Sequence, residues 1–338
     1  MGKIYYDNDA RIDTVLSKVV AIIGYGNQGR AQALNMRDSG IKKIVVGTSR
    51  PEAYNTVNED GFEVYSIAEA SKLADIIFIL IPDEVAPEVY ENEIEPNLRE
   101  GDVLNFSSGY NITFGHIKPK RNIDVIMVAP RMIGNGVRET YVSGQGFPAF
   151  IVVEQDASGN AHDIALGLAK AIGSTKSGAI EVTFNEETYL DLMSEQAVWP
   201  LIMNVMNEVF ELLVSKGHSP ESILTELYLS KEAAIMMEKM ADVGLFKQLP
   251  MHSRTSQYGQ LSRFNQVDTT YIREFLEKQY DNIKSGGFAE EWEKVKENNL
   301  TEFNELLDGA YSSHISKASA FFDIAPHIMP NMIKTIKW

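Results

Sequence analysis

Residues 18–29 read KVVAIIGYGNQG, an apolar run that ends in the glycines Gly24, Gly26 and Gly29. This order is typical of the first strand, turn and helix of a dinucleotide-binding βαβ unit. The first glycine permits a tight turn, the second lets the backbone approach a pyrophosphate, and the third lets the helix pack on the strand. Residues 30–37, RAQALNMR, suit the helix whose N-terminus would bind the phosphates. The stretch therefore predicts a dinucleotide-binding fold.

Apolar runs with the form of buried strands recur after this unit, and helix-like segments such as residues 67–74 and 161–173 separate them. The runs occupy residues 41–47, 62–66, 75–82, 102–109, 124–130 and 149–154. Their alternation with helices predicts an α/β fold with a doubly wound, Rossmann-type parallel sheet. After about Val182, long helical patterns dominate. We therefore predict a nucleotide-binding domain at residues 1–182 and an all-α domain at residues 183–330.

Composition narrows the function classes. The 338-residue chain is 44% hydrophobic, carries a formal charge of −16 and has no cysteine, which excludes disulfides, thiolate metal sites and a cysteine nucleophile. The negative charge disfavours nucleic acid and anionic membranes as partners. We see neither an apolar run of the ~20 residues that span a bilayer nor a signal peptide. These features predict a cytoplasmic protein.

The loop after the second predicted strand bears on the choice of cofactor. An acid usually binds the ribose hydroxyls of NAD at this point, but residues 47–51 read GTSRP, and the first acid is Glu52. Thr48, Ser49 and Arg50 offer hydroxyls and a guanidinium that suit a 2′-phosphate. The alternative is an ordinary solvated loop. We predict NADPH as the cofactor, with NADH also possible.

Two acids lie four residues apart in the helical pattern that begins near residue 186. Asp191 and Glu195 therefore project from one face, and such a pair of oxygen ligands suits Mg²⁺. Most acids at this spacing are solvated surface residues, but apolar residues surround this pair. Glu226, in a second largely apolar helix, is either a third ligand or an ordinary helix acid.

Several motifs resemble those of ketol-acid reductoisomerases, in their short form, in the same order along nearly the whole chain. The matching stretches are GYGNQG from residue 24, IPDE from 81, VIMVAP from 125, YVSGQGFPA from 141, QDASGNA from 155, FNEET from 184 and DLMSEQAV from 191. The resemblance implies a reaction in which two Mg²⁺ ions hold a hydroxy-keto acid, an alkyl group migrates, and NADPH delivers hydride to the new ketone.

The resemblance also implies which residues form the site. Metal ligands carry over to Asp191 and Glu195, and to Glu226 from a partner subunit, which implies a homodimer or larger homo-oligomer with shared active sites. The predicted catalytic residues are Asp191, Glu195, Glu226, Arg131, Ser253 and Ser108. The predicted cofactor-binding residues are Gly24, Tyr25, Gly26, Asn27, Gln28, Gly29, Thr48, Ser49, Arg50, Ile81, Pro82, Ser107 and Gly109.

The chain departs from the family pattern at the expected reaction centre. Ser230 stands where the family has a fourth carboxylate ligand, Ser108 where it has a histidine, and Arg131 where it has a lysine. Met251 replaces a substrate-binding serine, and Arg254 is introduced nearby. The two arginines add forked donors that suit a carboxylate, sulfonate or phosphate.

This pattern leaves three hypotheses. The altered centre favours an NADPH-dependent, reductoisomerase-like enzyme that acts on a small anionic hydroxy-ketone by hydride transfer, with or without Mg²⁺-assisted isomerisation. The first alternative is an authentic acetolactate reductoisomerase of branched-chain amino acid synthesis. The second is a protein that binds NADPH without catalysis, which the paired acids in an apolar helix disfavour because burying them without a use is costly.

Overall fold

A nine-stranded sheet forms the centre of the N-terminal part of the protein. The computed structural model describes residues 2–324. The strands are β1 Ile4–Tyr5, β2 Val19–Ile23, β3 Lys43–Gly47, β4 Glu63–Tyr65, β5 Ile76–Ile79, β6 Val103–Phe106, β7 Asp124–Pro130, β8 Ala149–Gln155 and β9 Ala179–Glu181. They lie in the order β1-β9-β8-β7-β6-β5-β2-β3-β4.

Six neighbouring strands pair in parallel, in the sheet order β7-β6-β5-β2-β3-β4. The strand order reverses beside β2. This is the doubly wound arrangement, and the predicted fold class is confirmed. Two pairings differ from a purely parallel sheet, because β8 is antiparallel to β7 and β1 is antiparallel to β9. Sequence reasoning missed β1 and β9, which are too short to show a pattern.

Helices cover both faces of the sheet. They are α1 Asp13–Leu16, α2 Asn27–Asp38, α3 Tyr54–Glu59, α4 Ile67–Leu73, α5 Ala86–Val89, α6 Tyr110–Thr113, α7 Gly134–Ser143 and α8 Ala161–Ile172. In β2, Val20 and Ile22 belong to one buried cluster, and Ala21 and Ile23 belong to the cluster on the opposite face. Both faces are therefore dry, which explains why the strand is continuously apolar.

The C-terminal part is helical, as predicted. Its helices are α9 Phe184–Met193, α10 Trp199–Ser215, α11 Pro220–Leu224, α12 Glu232–Val243, α13 Arg254–Phe264, α14 Thr270–Ser285, α15 Gly287–Glu297, α16 Thr301–Tyr311 and α17 His314–Ile324. Residue contacts divide the chain into two compact units between Asp191 and Leu192. The domain boundary that we predict at residue 182 precedes α9 and stays a prediction.

The region from α9 to α12 is not one continuous helix. π-helical turns occupy Ser194–Val198 and Thr225–Leu229. A break comes at Lys231, whose φ of 63° is left-handed, and Ser230 Oγ accepts a hydrogen bond of 3.3 Å from the Glu232 amide. Ser230 therefore helps to start α12 with its hydroxyl.

The helical stretch Phe184–Ser215 is long and apolar enough to cross a membrane by length and composition alone, and only 11% of its most apolar window is buried within the chain. From the sequence we expect helical patterns here but no apolar run long enough to span a bilayer, so this finding corrects the second expectation. Helices of soluble proteins can have the same length and hydropathy. An apolar helix therefore faces outward in the single chain.

Candidate nucleotide site and reaction centre

The glycines of residues 24–29 shape a tight turn after β2. Gly24 has a φ of 95°, and a Cβ there would lie 2.6 Å from the Leu80 carbonyl oxygen. A Cβ on Gly29 would lie 2.1 Å from the Gly24 carbonyl oxygen, so this residue must be glycine for α2 to approach β2. A Cβ on Gly26 would meet nothing within 4 Å. The turn is therefore closed on two sides and open at Gly26, where a phosphate could lie.

The N-terminus of α2 opens into the same space. Gly26 is its N-cap and supplies no side-chain hydrogen bond. The adjoining cavity, of about 380 Å³, is lined by Gly26 and Asn27 together with Tyr25, Arg30 and Gly134. Amides at a helix N-terminus bind anions well. The residues present therefore fit the pyrophosphate of a dinucleotide.

Three side chains of this turn and the start of α2 already form hydrogen bonds within the protein. Arg30 binds Asp60 through both Nε and Nη2, at 2.7 and 3.0 Å, and the Tyr25 hydroxyl donates to the same carboxylate at 2.9 Å. Arg30 holds the pKa of Asp60 below its usual range. Gln28 donates to the Met132 carbonyl at 2.8 Å and so links the turn to the loop after β7. These hydrogen bonds hold the turn against the neighbouring loops.

The three residues predicted to bind the 2′-phosphate lie in the loop after β3 and differ in their exposure to solvent. Thr48 is only 5% exposed, and its Oγ1 accepts a hydrogen bond of 3.1 Å from the Arg50 amide. Ser49 and Arg50 are exposed. The Thr48 hydroxyl thus shapes the loop, and the side chains available to a 2′-phosphate are those of Ser49 and Arg50.

A second cavity, of about 220 Å³, lies at the carboxyl ends of β5 and β6. In open α/β sheets this edge holds the ligand. The predicted residues that line it are Gln28, Ile81, Pro82, Ser107 and Ser108. Asp83 and Asn111 also line it, and we did not single out either as a site residue from the sequence.

Asp83 is held in this cavity by polar contacts. Ser108 Oγ donates to Asp83 Oδ2 at 3.3 Å, and Asn111 Nδ2 donates to Oδ1 at 3.1 Å. Burial raises the pKa of Asp83 to about 6, against the Ser108 hydrogen bond, which lowers it, and with the help of the nearby Glu84 and Asp191 charges. A carboxyl group with this pKa exchanges its proton near neutral pH.

Ser107 and Gly109, two of the predicted cofactor-binding residues, make contacts within the protein. Ser107 Oγ donates to the Val128 carbonyl at 3.2 Å. The Gly109 amide donates to Glu187 Oε2 at 2.8 Å, and a Cβ on Gly109 would lie 2.4 Å from Thr188 Oγ1. Gly109 therefore lets α9 approach the end of β6.

Arg131, Glu187 and Asp191, which we call the Arg131 cluster, lie just beyond the end of β7. Arg131 Nη2 donates to Glu187 Oε1 at 3.0 Å, and Nη1 donates to Asp191 Oδ1 at 3.0 Å. The Glu187 side chain is 1% exposed, whereas that of Asp191 is 42% exposed. One guanidinium thus joins a buried carboxylate and a solvent-facing one.

Glu187 feels opposing effects. Burial raises its pKa to about 7, the Arg131 charge lowers it, the Asp191 charge raises it, and the Gly109 amide lowers it. An anion that approaches Arg131 would find both Nη groups occupied by carboxylates. The prediction that Arg131 binds an anionic substrate therefore requires these hydrogen bonds to be exchanged.

The other predicted catalytic residues lie on the surface of the C-terminal unit. Glu195 and Glu226 are exposed, and each lies in a π-helical turn, a distortion that is frequent at functional sites. Ser253 is the N-cap of α13, and its Oγ accepts a hydrogen bond of 3.2 Å from the Ser256 amide. The catalytic roles of these residues stay predictions.

The Mg²⁺ prediction was tested against these side chains. Within residues 2–324, no three His, Asp or Glu side chains of the single chain are grouped as metal ligands. Asp191, the predicted ligand nearest the sheet, is instead paired with Arg131. The described residues of one chain therefore do not by themselves form a magnesium centre, for which one ligand is predicted from a partner subunit, so the metal site stays a prediction and we derive no step through it.

Sequence reasoning missed Asp83 and Glu187 as site residues. Both lie inside stretches that carry the family resemblance, IPDE from residue 81 and FNEET from residue 184. Asp83 could have been noticed because it directly follows the predicted strand at residues 75–82, whereas Glu187 follows β9, which was not predicted. Their burial, which makes them unusual, depends on tertiary packing and leaves no local signal.

Comparison with known proteins agrees with this geometry. Residues 14–178 match the family model "Acetohydroxy acid isomeroreductase, NADPH-binding domain", and residues 184–322 match "Ketol-acid reductoisomerase, C-terminal domain". The chain is 43% identical over 320 residues to the ketol-acid reductoisomerase (NADP(+)) of Pyrococcus abyssi, covering 94% of this chain and 96% of that one. It is also 43% identical over 307 residues to the enzyme of the same name from Methanocaldococcus jannaschii, covering 90% and 92%.

A solved structure shows the same likeness. The NADH-preferring ketol-acid reductoisomerase from an uncultured archaean has a TM-score of 0.89 and 34% identity, and the match covers 95% of this chain and 98% of that one. Together with the two family models, these relatives confirm the resemblance in the sequence motifs. The chain belongs to the ketol-acid reductoisomerase family.

Proposed function

We propose that this protein transfers hydride from NADPH to a small hydroxy-ketone that carries a carboxylate, sulfonate or phosphate. The observation that carries this proposal is the open space at Gly26, where the uncapped N-terminus of α2 meets a cavity of about 380 Å³. A pyrophosphate at this point would be bound by main-chain amides and the helix dipole.

The bound nicotinamide supplies the hydride, and the chain supplies binding and the proton. Ser49 and Arg50 would contact the 2′-phosphate, while Ile81 and Pro82 would exclude water from the reacting end. Reduction of a ketone also needs a proton on the new alkoxide oxygen. Asp83, whose pKa burial raises to about 6, lies in the same cavity and is our candidate for the group that exchanges this proton near neutral pH.

The alternative is an authentic acetolactate reductoisomerase, and the relatives support it. The Pyrococcus abyssi protein bears that family's enzyme name and matches 94% of this chain. The departures at Ser108, Arg131, Ser230 and Met251 support a different substrate. The choice of NADPH over NADH is also part of the proposal, because the relatives' names include both preferences.

We further propose a homodimer or larger homo-oligomer in the cytoplasm, with active sites shared between subunits. The support is the outward-facing apolar surface of α10, which includes Trp199, Met203 and Val205. A second copy of the chain that packed around this helix would remove these side chains from water. It would also bring a second set of exposed acids, such as Glu226, to the assembly.

The test is an NADPH oxidation assay with purified protein at millimolar Mg²⁺. Acetolactate would be compared with hydroxy-ketones that carry carboxylate, sulfonate or phosphate groups. Turnover of the latter without acetolactate turnover supports the proposal, whereas efficient acetolactate turnover supports the alternative. A protein that binds NADPH but reduces none of these ketones would overturn both.

A further inference from the structure

The Arg131 cluster contains more fixed contacts than a surface ion pair. Besides its hydrogen bonds to Glu187 and Asp191, the Arg131 guanidinium lies over the Phe150 ring, 5.0 Å from the ring centre. Its Nε is buried and has no hydrogen-bond partner among the described residues. The side chain is therefore held by a ring face and two carboxylates, as a rigid planar guanidinium can be.

Glu187 anchors the cluster to the nucleotide-binding unit. It is buried, and its second oxygen accepts the Gly109 amide at 2.8 Å. Loss of the guanidinium would leave this buried carboxylate without a counter-charge, which is strongly unfavourable. The contact with Glu187 thus holds Arg131 in place independently of Asp191.

Asp191 has the opposite surroundings. It is partly exposed, and the Arg131 hydrogen bond of 3.0 Å occupies Oδ1. A divalent cation needs a deprotonated carboxylate oxygen and is repelled by a guanidinium at hydrogen-bond distance. The arginine and the metal therefore compete for the same carboxylate.

We infer that Arg131 is a resident counter-cation of this centre, whose charge opposes the binding of a divalent cation at Asp191. This inference deepens the proposed function, since Asp191 is a predicted metal ligand of the proposed site. Arg131 thus determines how tightly this site binds divalent cations. The consequence is weak binding of divalent cations in the wild-type protein.

The experiment measures Mn²⁺ binding to the full-length protein by the paramagnetic resonance signal of the free ion, without substrate or nucleotide. Because Arg131→Gln alone would strand Glu187, the main comparison is between Glu187→Gln and the double variant Arg131→Gln/Glu187→Gln. We expect the double variant to bind Mn²⁺ about tenfold more tightly or better, the effect that a charge at this distance has on protonation of a carboxylate. Adding Asp191→Asn should abolish the gain.

A matched control is available at the opposite edge of the sheet. Arg99 also bridges two carboxylates, those of Asp102 and Asp75, with Nη2 at 3.0 and 3.4 Å from their oxygens. Arg99→Gln changes the net charge by the same amount and should leave Mn²⁺ affinity unchanged. Circular dichroism would confirm that each variant is folded.

Three results would overturn the inference: equal affinity in the presence and absence of Arg131, a gain that survives Asp191→Asn, or an equal gain from Arg99→Gln. These outcomes do not depend on which ketone is reduced, because neither substrate nor NADPH is present. Failure of the proposed function in the turnover assay would thus leave this test intact.

Discussion

The nucleotide turn at residues 24–29 and the Arg131 cluster lie at the same carboxyl edge of the sheet, yet they are constrained in different ways. At the turn, an added Cβ would lie 2.6 Å from backbone at Gly24 and 2.1 Å at Gly29. At the cluster, one guanidinium contacts two carboxylates at 3.0 Å. The first region should therefore respond to side-chain size, and the second to charge. Substitutions can test this division.

The largest effect is expected from Gly29→Ala. Its Cβ would overlap the Gly24 carbonyl oxygen, a backbone atom that cannot move aside, so we expect a loss of about 3 kcal/mol or more in the free energy of unfolding. The matched change Gly26→Ala places its Cβ in open space and should cost less than about 1 kcal/mol while weakening NADPH binding. Denaturant titration followed by circular dichroism, together with NADPH titration, measures both. Equal losses of stability would refute the assignment.

Arg131→Met should be the largest effect in the charged region. At pH 9, above the pKa of about 7 that burial gives Glu187, it leaves a buried carboxylate unpaired, so we expect a loss of about 3 kcal/mol in the free energy of unfolding. The double variant Arg131→Met/Glu187→Met removes both charges and should recover most of that loss. The same denaturant titration serves here. If the double variant is less stable than Arg131→Met, the charge explanation is wrong.

Asp83 should make stability depend on pH. Because burial raises its pKa from 3.8 to about 6, the folded state binds a proton more tightly than the unfolded state. The stabilising contribution of this proton is present in full below pH 3.8 and is lost as the pH rises to about 6. Asp83→Asn should be insensitive to this change, so its stability relative to wild type should rise by about 2 kcal/mol over that range.

Hydrogen exchange of amides in β5 and β6 is the suitable measurement for Asp83. All three tryptophans, Trp199, Trp292 and Trp338, lie after residue 191, so their fluorescence would not report on the sheet. Exchange rates of wild type and Asp83→Asn that change in parallel from pH 4 to 6.5 would show that the folded-state pKa is ordinary.

The smallest effect concerns cofactor choice. Arg50 is exposed at the end of β3, and its guanidinium is the charged donor that we propose for the 2′-phosphate. Arg50→Ala should weaken NADPH binding about tenfold, or about 1.4 kcal/mol, and leave NADH binding unchanged. Fluorescence titration with the two nucleotides measures the difference. An equal loss for both would place Arg50 outside the phosphate site.

The sequence predicted the turn well because its constraints are local. Strand, glycine spacing and helix come in order within residues 18–37, and a side chain at Gly24 or Gly29 would clash with the backbone. The main strands were equally clear, since continuous apolar runs are what a sheet covered on both faces requires. By contrast, β1 and β9 are two and three residues long and carry no periodicity.

The Arg131 cluster could not be predicted in the same way. Arg131 and Glu187 are 56 residues apart in sequence, and nothing local to either one indicates the other. Asp83 is similar, because its raised pKa results from burial by packing that the motif IPDE does not encode. Ser253 is a different case: a residue predicted to be catalytic also has a local role as a helix cap, and its catalytic role stays a prediction.

The outward-facing helix α10 has a thermodynamic consequence. Trp199, 52% exposed in the single chain, lies with Met203, Val205 and Leu212 on apolar surface that water disfavours. Association of chains through this surface would couple folding to mass action, so that the melting temperature rises with protein concentration. Trp199 fluorescence would shift to shorter wavelength over the same range. The free energy of unfolding would then depend on protein concentration, so any measured value must be given with the concentration at which it was obtained.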